Sequence, residues 1–305
     1  MPEQKKAFEK SSLTPDQHIG LLKKRGLTFQ DQDRARHYLQ FIGYYRLSGY
    51  FLPFQVPGDS QHTFLPTTTF DHILQTYIFD RKLRLLVMDG VERIEVAVRT
   101  TISEIMSQQH GPHWFMDKAL FIDKFDHKGL LVKIRNESGF DRPGKRSLFC
   151  KHYYEAYDTP CLPPSWMITE ILSAGTWSMI FKNIRSRQEK KAISDLYDIH
   201  QTLMISWLEA FTDLRNTCAH HSRIWNRIFI KKPMIPKDRN LSRHFIQNNR
   251  FYAHAAVLNV FLNVISDGST WQQRLASLIN TSPQIPMEAM GFFNGWDKDP
   301  FWGIT

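Results

Sequence analysis

Apolar residues along this chain recur mostly at three- and four-residue spacing, and the period-two alternation of a half-buried strand is rare. The pattern predicts an all-α protein. PDQHIGLLKKR (15–25) reads as a helix behind Thr14 as N-cap, with Pro15 at the first helical position, where its missing amide hydrogen costs nothing. DQDRARHYLQFIGYYRL (31–47) is amphipathic. The longest pattern covers 70–108, where Ile78, Leu83, Leu86, Val87, Val91, Ile94, Val98, Ile102 and Ile105 form one stripe. Only Gly90 interrupts it, and Gly111 and Pro112 end it.

Shorter helices are expected over 126–138, 146–156, 165–183 and 187–196, separated by the loops DRPGKR (141–146) and DTPCLPPSW (158–166). A helix over about 199–225 follows, then the loop KKPMIPKD (231–238) and helices over 247–266 and 270–280. The aromatic, turn-rich tail MEAMGFFNGWDKDPFW is expected to pack on the body. No repeat, low-complexity stretch or linker divides the sequence. It reads as one domain, 1–305, with an N-terminal helical segment (1–65) before a main bundle (66–305).

Composition adds limits. At 305 residues, 42% hydrophobic and 23% charged, the chain can bury a sizeable core without staples. Cys150, Cys161 and Cys218 are too scattered for a disulfide framework and form no CxxC pair, so neither zinc nor an oxidising compartment is expected. MPEQKKAFEKSSLTPDQHIG lacks the apolar core of a signal peptide, and AHAAVLNVFLNVI (253–265) is short for a membrane span and carries Asn259 and Asn263. The expectation is a soluble cytoplasmic protein without a membrane partner. Lys and Arg outnumber Asp and Glu by 39 to 30, a net charge of +9. That excess favours a polyanionic partner, though charge does not separate RNA from DNA.

The densest chemistry lies in DLRNTCAHHSRIWNR (213–227). Leu203, Trp207, Phe211, Leu214 and Cys218 share one apolar stripe, which orients the rest. At about 100° per residue, His221 falls roughly 60° from the stripe centre, a structural residue hydrogen-bonded at the core margin. His220 falls roughly 140° away, on the side of Asn216, Ala219 and Arg223, while Arg215 sits roughly 80° off on the other flank and can swing over Ala219. An imidazole can exchange a proton with a 2′-hydroxyl or a 5′-oxygen, and a guanidinium can hold the phosphate and its developing charge. Attack by the 2′-hydroxyl needs no metal or other cofactor and selects RNA. A second histidine would come from a C2 partner presenting the same helix. The bland alternative is a solvated basic helix face.

RNTCAH (215–220) matches the RNxxxH pattern of the HEPN superfamily of ribonucleases, which also occurs in type VI CRISPR RNA-guided RNases. DLRNTCAHHSRIWNR resembles the C-terminal signature of the Abi-like (AbiD/AbiF-type) bacterial abortive-infection proteins. So do FIGYYRLSGYFLPF (41–54), DRKLRLLVMDGVERIEVAVRT (80–100) and MGFFNGWDKDPFW (290–302), in the same order. The resemblance implies a HEPN-like helical bundle with additional N-terminal and peripheral helices. It also implies phage-defence or toxin activity, and metal-independent RNA cleavage leaving a 2′,3′-cyclic phosphate. His220 would be the acid/base, Arg215 the phosphate binder, and Asn216 part of the motif. Homodimerisation through the motif helix is implied, as is a small noncoding RNA partner in some members.

Other residues carry open alternatives. Arg223 and Arg227 extend the basic face as RNA-binding or supporting residues. Glu92, Glu95 and Arg99 share one side of the long helix, where Glu95 and Arg99 form an i,i+4 pair or else reach the motif helix and position Arg215. Tyr44, Tyr45, Arg46 and Tyr50 either stack on bases and hold a phosphate or pack a helix end. His110 and His113 lack a third metal ligand nearby. The clusters at 23–24, 141–146, 182–191 and 231–232 either track an RNA backbone or are plain solvated surface. Two rival functions remain, a non-catalytic RNA-binding protein and a protein–protein interaction module.

Overall fold

Thr14 starts the first helix, α1 (Pro15–Lys24), through a reciprocal capping box. Its hydroxyl accepts from the Gln17 amide while the Gln17 side chain accepts from the Thr14 amide. A computed structural model describes residues 11–304; half of the stretch read for a signal peptide lies outside the described residues. Among these residues there are thirteen α-helices and no strand, so the all-α expectation holds. The chain divides into two compact units, Met1–Lys82 and Leu83–Thr305.

In the first unit, α1 is followed by α2 (Gln32–Phe41) and α3 (Tyr44–Ser48). The single helix expected over 31–47 is therefore two. Gly43 sits at φ 87, a left-handed conformation that no L-residue adopts within a helix, and the backbone turns there. Leu22, Leu39, Leu47 and Phe51 are buried in this unit, and the Tyr50 hydroxyl bonds Asp80 Oδ2 at 2.5 Å.

The boundary between units falls within α4 (Phe70–His110), a continuous helix of 41 residues. Leu83, Leu86, Val87, Val91, Ile94, Val98 and Ile102 of its stripe are buried. Gly90 does not break the helix. It makes room for Trp271, whose indole N–H donates to the Leu86 carbonyl at 2.8 Å directly over the glycine. The second unit continues through α5 (His127–Glu137), α6 (Leu148–Ala156), α7 (Ser165–Ile168), α8 (Ala174–Asn183) and α9 (Arg187–Asp195). It closes with α10 (Gln201–Ala219), α11 (Arg239–Ser242), α12 (Phe251–Ile265) and α13 (Trp271–Asn280). The helix expected over 165–183 is split between α7 and α8.

The centre of this unit is α12, whose first nine residues are all buried. Asn259 is satisfied there: its amide donates to Phe301 O at 2.7 Å and its carbonyl accepts from Gln272 at 2.6 Å. Among the described residues no helix is long and apolar enough to cross a membrane. The aromatic tail packs as expected, with Phe292, Trp296 and Trp302 buried around Tyr252. Helix α10 packs against α8, α9 and α12, with Trp207, Phe211, Leu214 and Cys218 facing inward and Leu203 half-buried.

Candidate functional site

The site is built at the C-terminal end of α10, and that helix stops six residues earlier than its apolar pattern suggests. His220 is the C-cap, and His221 follows in the left-handed conformation at φ 57. The His221 amide donates to Cys218 O at 2.9 Å and the Ser222 amide to Thr217 O at 2.9 Å. These two bonds are the Schellman closure, usually made by glycine at the position His221 fills. Beyond it the chain leaves the helix axis, and Ile224 and Trp225 turn inward to burial.

This termination corrects one expectation. Wheel geometry placed His221 at the core margin, but no helix exists at that residue, and its side chain is exposed. His220 is exposed too. Asn216, one turn before it, is exposed, and Arg215 is half-buried.

Arg215 does not hang free. Its Nε lies 3.5 Å from Glu95 Oε2 of α4, and its Nη1 donates to Asn216 Oδ1 at 3.3 Å. The Nε is shut off from solvent, and its approach to Glu95 is close enough for an ion pair but not aligned as a hydrogen bond. Glu95 therefore anchors the root of the guanidinium, and Asn216 accepts from one arm of the fork. Arg99 has a different partner. Its Nη2 donates to both carboxylate oxygens of Glu170, at 3.2 and 3.3 Å, so the i,i+4 neighbours on α4 serve different elements. Glu92 is exposed.

Arg223 and Arg227 follow the carbonyl end of α10, where the helix dipole favours positive charge. Arg227 donates to Arg223 O at 3.5 Å and lies 5.7 Å from the Phe229 ring centre. Arg250, which sequence reasoning missed, joins them by donating to Asn226 Oδ1 at 3.2 Å. Its only signal in the sequence is its charge, because it starts a different helix. Glu170, also missed, sits in a short turn with no periodic mark.

The tyrosine cluster belongs to the first unit and the motif to the second. Tyr44 is packed: it stacks on His18 with centroids 4.2 Å apart and accepts from Arg25 at 2.9 Å. Tyr45 is 92% exposed, and Arg46 is exposed. His110 bonds Glu189 at 2.5 Å, whereas His113 meets the Tyr153 hydroxyl at 3.4 Å, so the two histidines have separate partners. Burial lowers the pKa of His113.

Chemically, the end of α10 offers an exposed imidazole and an exposed carboxamide on one face. Beside them stands a guanidinium held at its base by a carboxylate, and more arginines lie downstream. A family model described as Abi-like protein matches residues 37–226, more than half of the chain and inclusive of the whole RNTCAH segment. No curated protein and no solved structure matches the chain.

Proposed function

The chain belongs to the Abi-like protein family, and from that premise we propose that it is a metal-independent endoribonuclease of the HEPN type. It would act in abortive-infection phage defence or as a toxin, in the manner of AbiD/AbiF proteins. The observation that carries the reading is the placement of Arg215, Asn216 and His220 on the last turn and cap of one helix, with His220 open to solvent and Arg215 tethered by Glu95.

In this mechanism the neutral His220 imidazole takes the proton of a ribose 2′-hydroxyl. The 2′-oxygen then attacks the adjacent phosphorus, and the bond to the 5′-oxygen breaks. A second, protonated imidazole delivers a proton to that leaving oxygen. The products are a 2′,3′-cyclic phosphate and a 5′-hydroxyl. Arg215 neutralises charge on the pentacoordinate phosphorus, and Asn216 orients the imidazole or the phosphate. Glu95 acts as a positioning residue. By helical geometry Arg215 and His220 project about 140° apart around α10. Two copies related by a C2 axis bring one chain's arginine to the other's histidine and supply the second imidazole. Ile228 and Ile230, 63% and 87% exposed just beyond the motif, suit such an interface.

The excess of basic residues also supports a second reading, a non-catalytic protein holding a small noncoding RNA. Purified protein incubated with mixed RNAs in EDTA distinguishes them. Wild type is expected to leave cyclic-phosphate ends and His220→Ala to leave none. Cutting that survives His220→Ala but is lost in His221→Ala would move the site to the neighbouring histidine. Binding without cutting would support the RNA-holding reading, and no binding at all a protein–protein module. Sequencing copurified RNA separates a single bound regulator from a heterogeneous pool.

A further inference from the structure

An open cleft of about 560 Å³, its lining mixed apolar and charged, runs beside α10, between α8, the segment that enters α5 and the chain just past the motif. Its floor exists because Gly175 of α8 has no side chain. A Cβ there would stand 3.2 Å from Thr212 Cγ2, so the glycine lets α8 seat closely on α10. Thr212 lies one turn before Arg215 and Asn216 on the same helix. A small recess that includes Glu95 adjoins the cleft and shares Ser178 and Thr212 with it. Ser178 and Thr212 therefore stand between the cleft and the carboxylate that anchors Arg215.

Three lysines and two carboxylates line it. One carboxylate is charge-paired and the other caps a helix. Glu209 pairs with Lys182 at 2.5 Å, and Asp126 caps α5 by accepting from the Gly129 amide at 2.9 Å. Lys124 and Lys231 are exposed, and no carboxylate among the described residues pairs with either of them. Two uncommitted ammonium groups, with Ser178, Thr212 and Asn183 beside Phe125 and Met179 between them, suit a sugar–phosphate backbone, whose phosphates point charges hold without reading bases.

We infer that this cleft binds the sugar–phosphate backbone of the RNA strand next to the bond being cut, with Lys124 and Lys231 as the phosphate contacts. The inference rests on the ribonuclease reading for its placement, but its test does not. A short single-stranded DNA lacks the 2′-hydroxyl, so it should bind the same lysines and stay intact.

The measurement is DNA binding by fluorescence anisotropy across a salt series, using the full chain. The Lys124→Glu/Lys231→Glu double variant should bind at least about tenfold more weakly than wild type. Its log K against log salt slope should be shallower by about 1.4, two contacts at about 0.7 each. Lys151→Glu/Lys298→Glu, equally charge-reversed on exposed positions outside the cleft, should stay within about twofold of wild type. Thermal melts check that both variants fold. Cleft-variant binding within about twofold of wild type overturns the inference, as does equal weakening in the control pair. The two readings fail separately. His220-dependent RNA cleavage with an unchanged KM in the cleft variant sinks the cleft and leaves the nuclease. Lysine-dependent DNA binding without any RNA cleavage does the reverse.

Discussion

His221 holds a conformation that glycine adopts freely and other residues adopt at a cost of about 1 kcal/mol. Its backbone closes α10, and the residue is exposed. Because both changes remove the imidazole, His221→Gly is therefore expected to be more stable than His221→Ala by about 0.5–1 kcal/mol in denaturant titration, and to leave RNA cleavage intact. Loss of cleavage in that variant would make the side chain part of the chemistry. The four-residue spacing of Asn216 and His220 could be read directly from the sequence, because it spans the last turn that is still helical. His221 was misplaced by the same wheel, one residue past the point where the wheel applies. No glycine marks that point, and the histidine that takes its place looks like any other polar residue.

At the scale of elements, local signals located the helices and tertiary packing set their breaks. Thr14, Gln17 and Pro15 announce α1 completely, since the capping box is made within four residues. Gly43 and Gly90 look alike in sequence but have opposite roles. Gly43 turns the chain through a positive φ, while Gly90 stays helical and seats Trp271. Gly90→Ala tests this. Helix propensity alone would make the change stabilising by about 1 kcal/mol. A Cβ, however, would meet Trp271 Nε1 at 3.0 Å and Leu262 Cδ1 at 3.3 Å. The expected result is destabilisation by about 1–3 kcal/mol, read from the urea midpoint. A stabilised variant would show that the indole contact yields easily.

Across the whole molecule, burial makes the protein acid-sensitive. His18, His113, His244 and His254 all have pKa values lowered mainly by desolvation, His254 from 6.5 to about 3. His254 is sealed in α12, its ring tilted against Phe229 with centroids 4.2 Å apart. Its depressed pKa means that the unfolded chain binds the proton first as pH falls. Stability is therefore undiminished above about pH 6.5 and declines from there toward pH 3. The loss from this group alone is about 2 kcal/mol between about pH 7.5 and about pH 5. Thermal melts should show that loss in the wild type and a flatter dependence in His254→Phe. An identical slope in both would mean that the titration is carried elsewhere.

The sequence by itself determined the fold class, most helix positions, the inward stripe of α10 and the grouping of Arg, Asn and His in one short segment. These follow from interactions between residues three to five apart, which periodicity records. Tertiary structure decided that Glu95 reaches Arg215 while Arg99 turns to Glu170. It also decided that Arg250 joins the basic end of α10, and that Lys124 and Lys231 share a cleft with Thr212. Such partners come from distant segments, and which of them meet depends on how the apolar stripes of separate helices settle against one another. A charge on an exposed helix face carries no local record of the element that will be packed beside it.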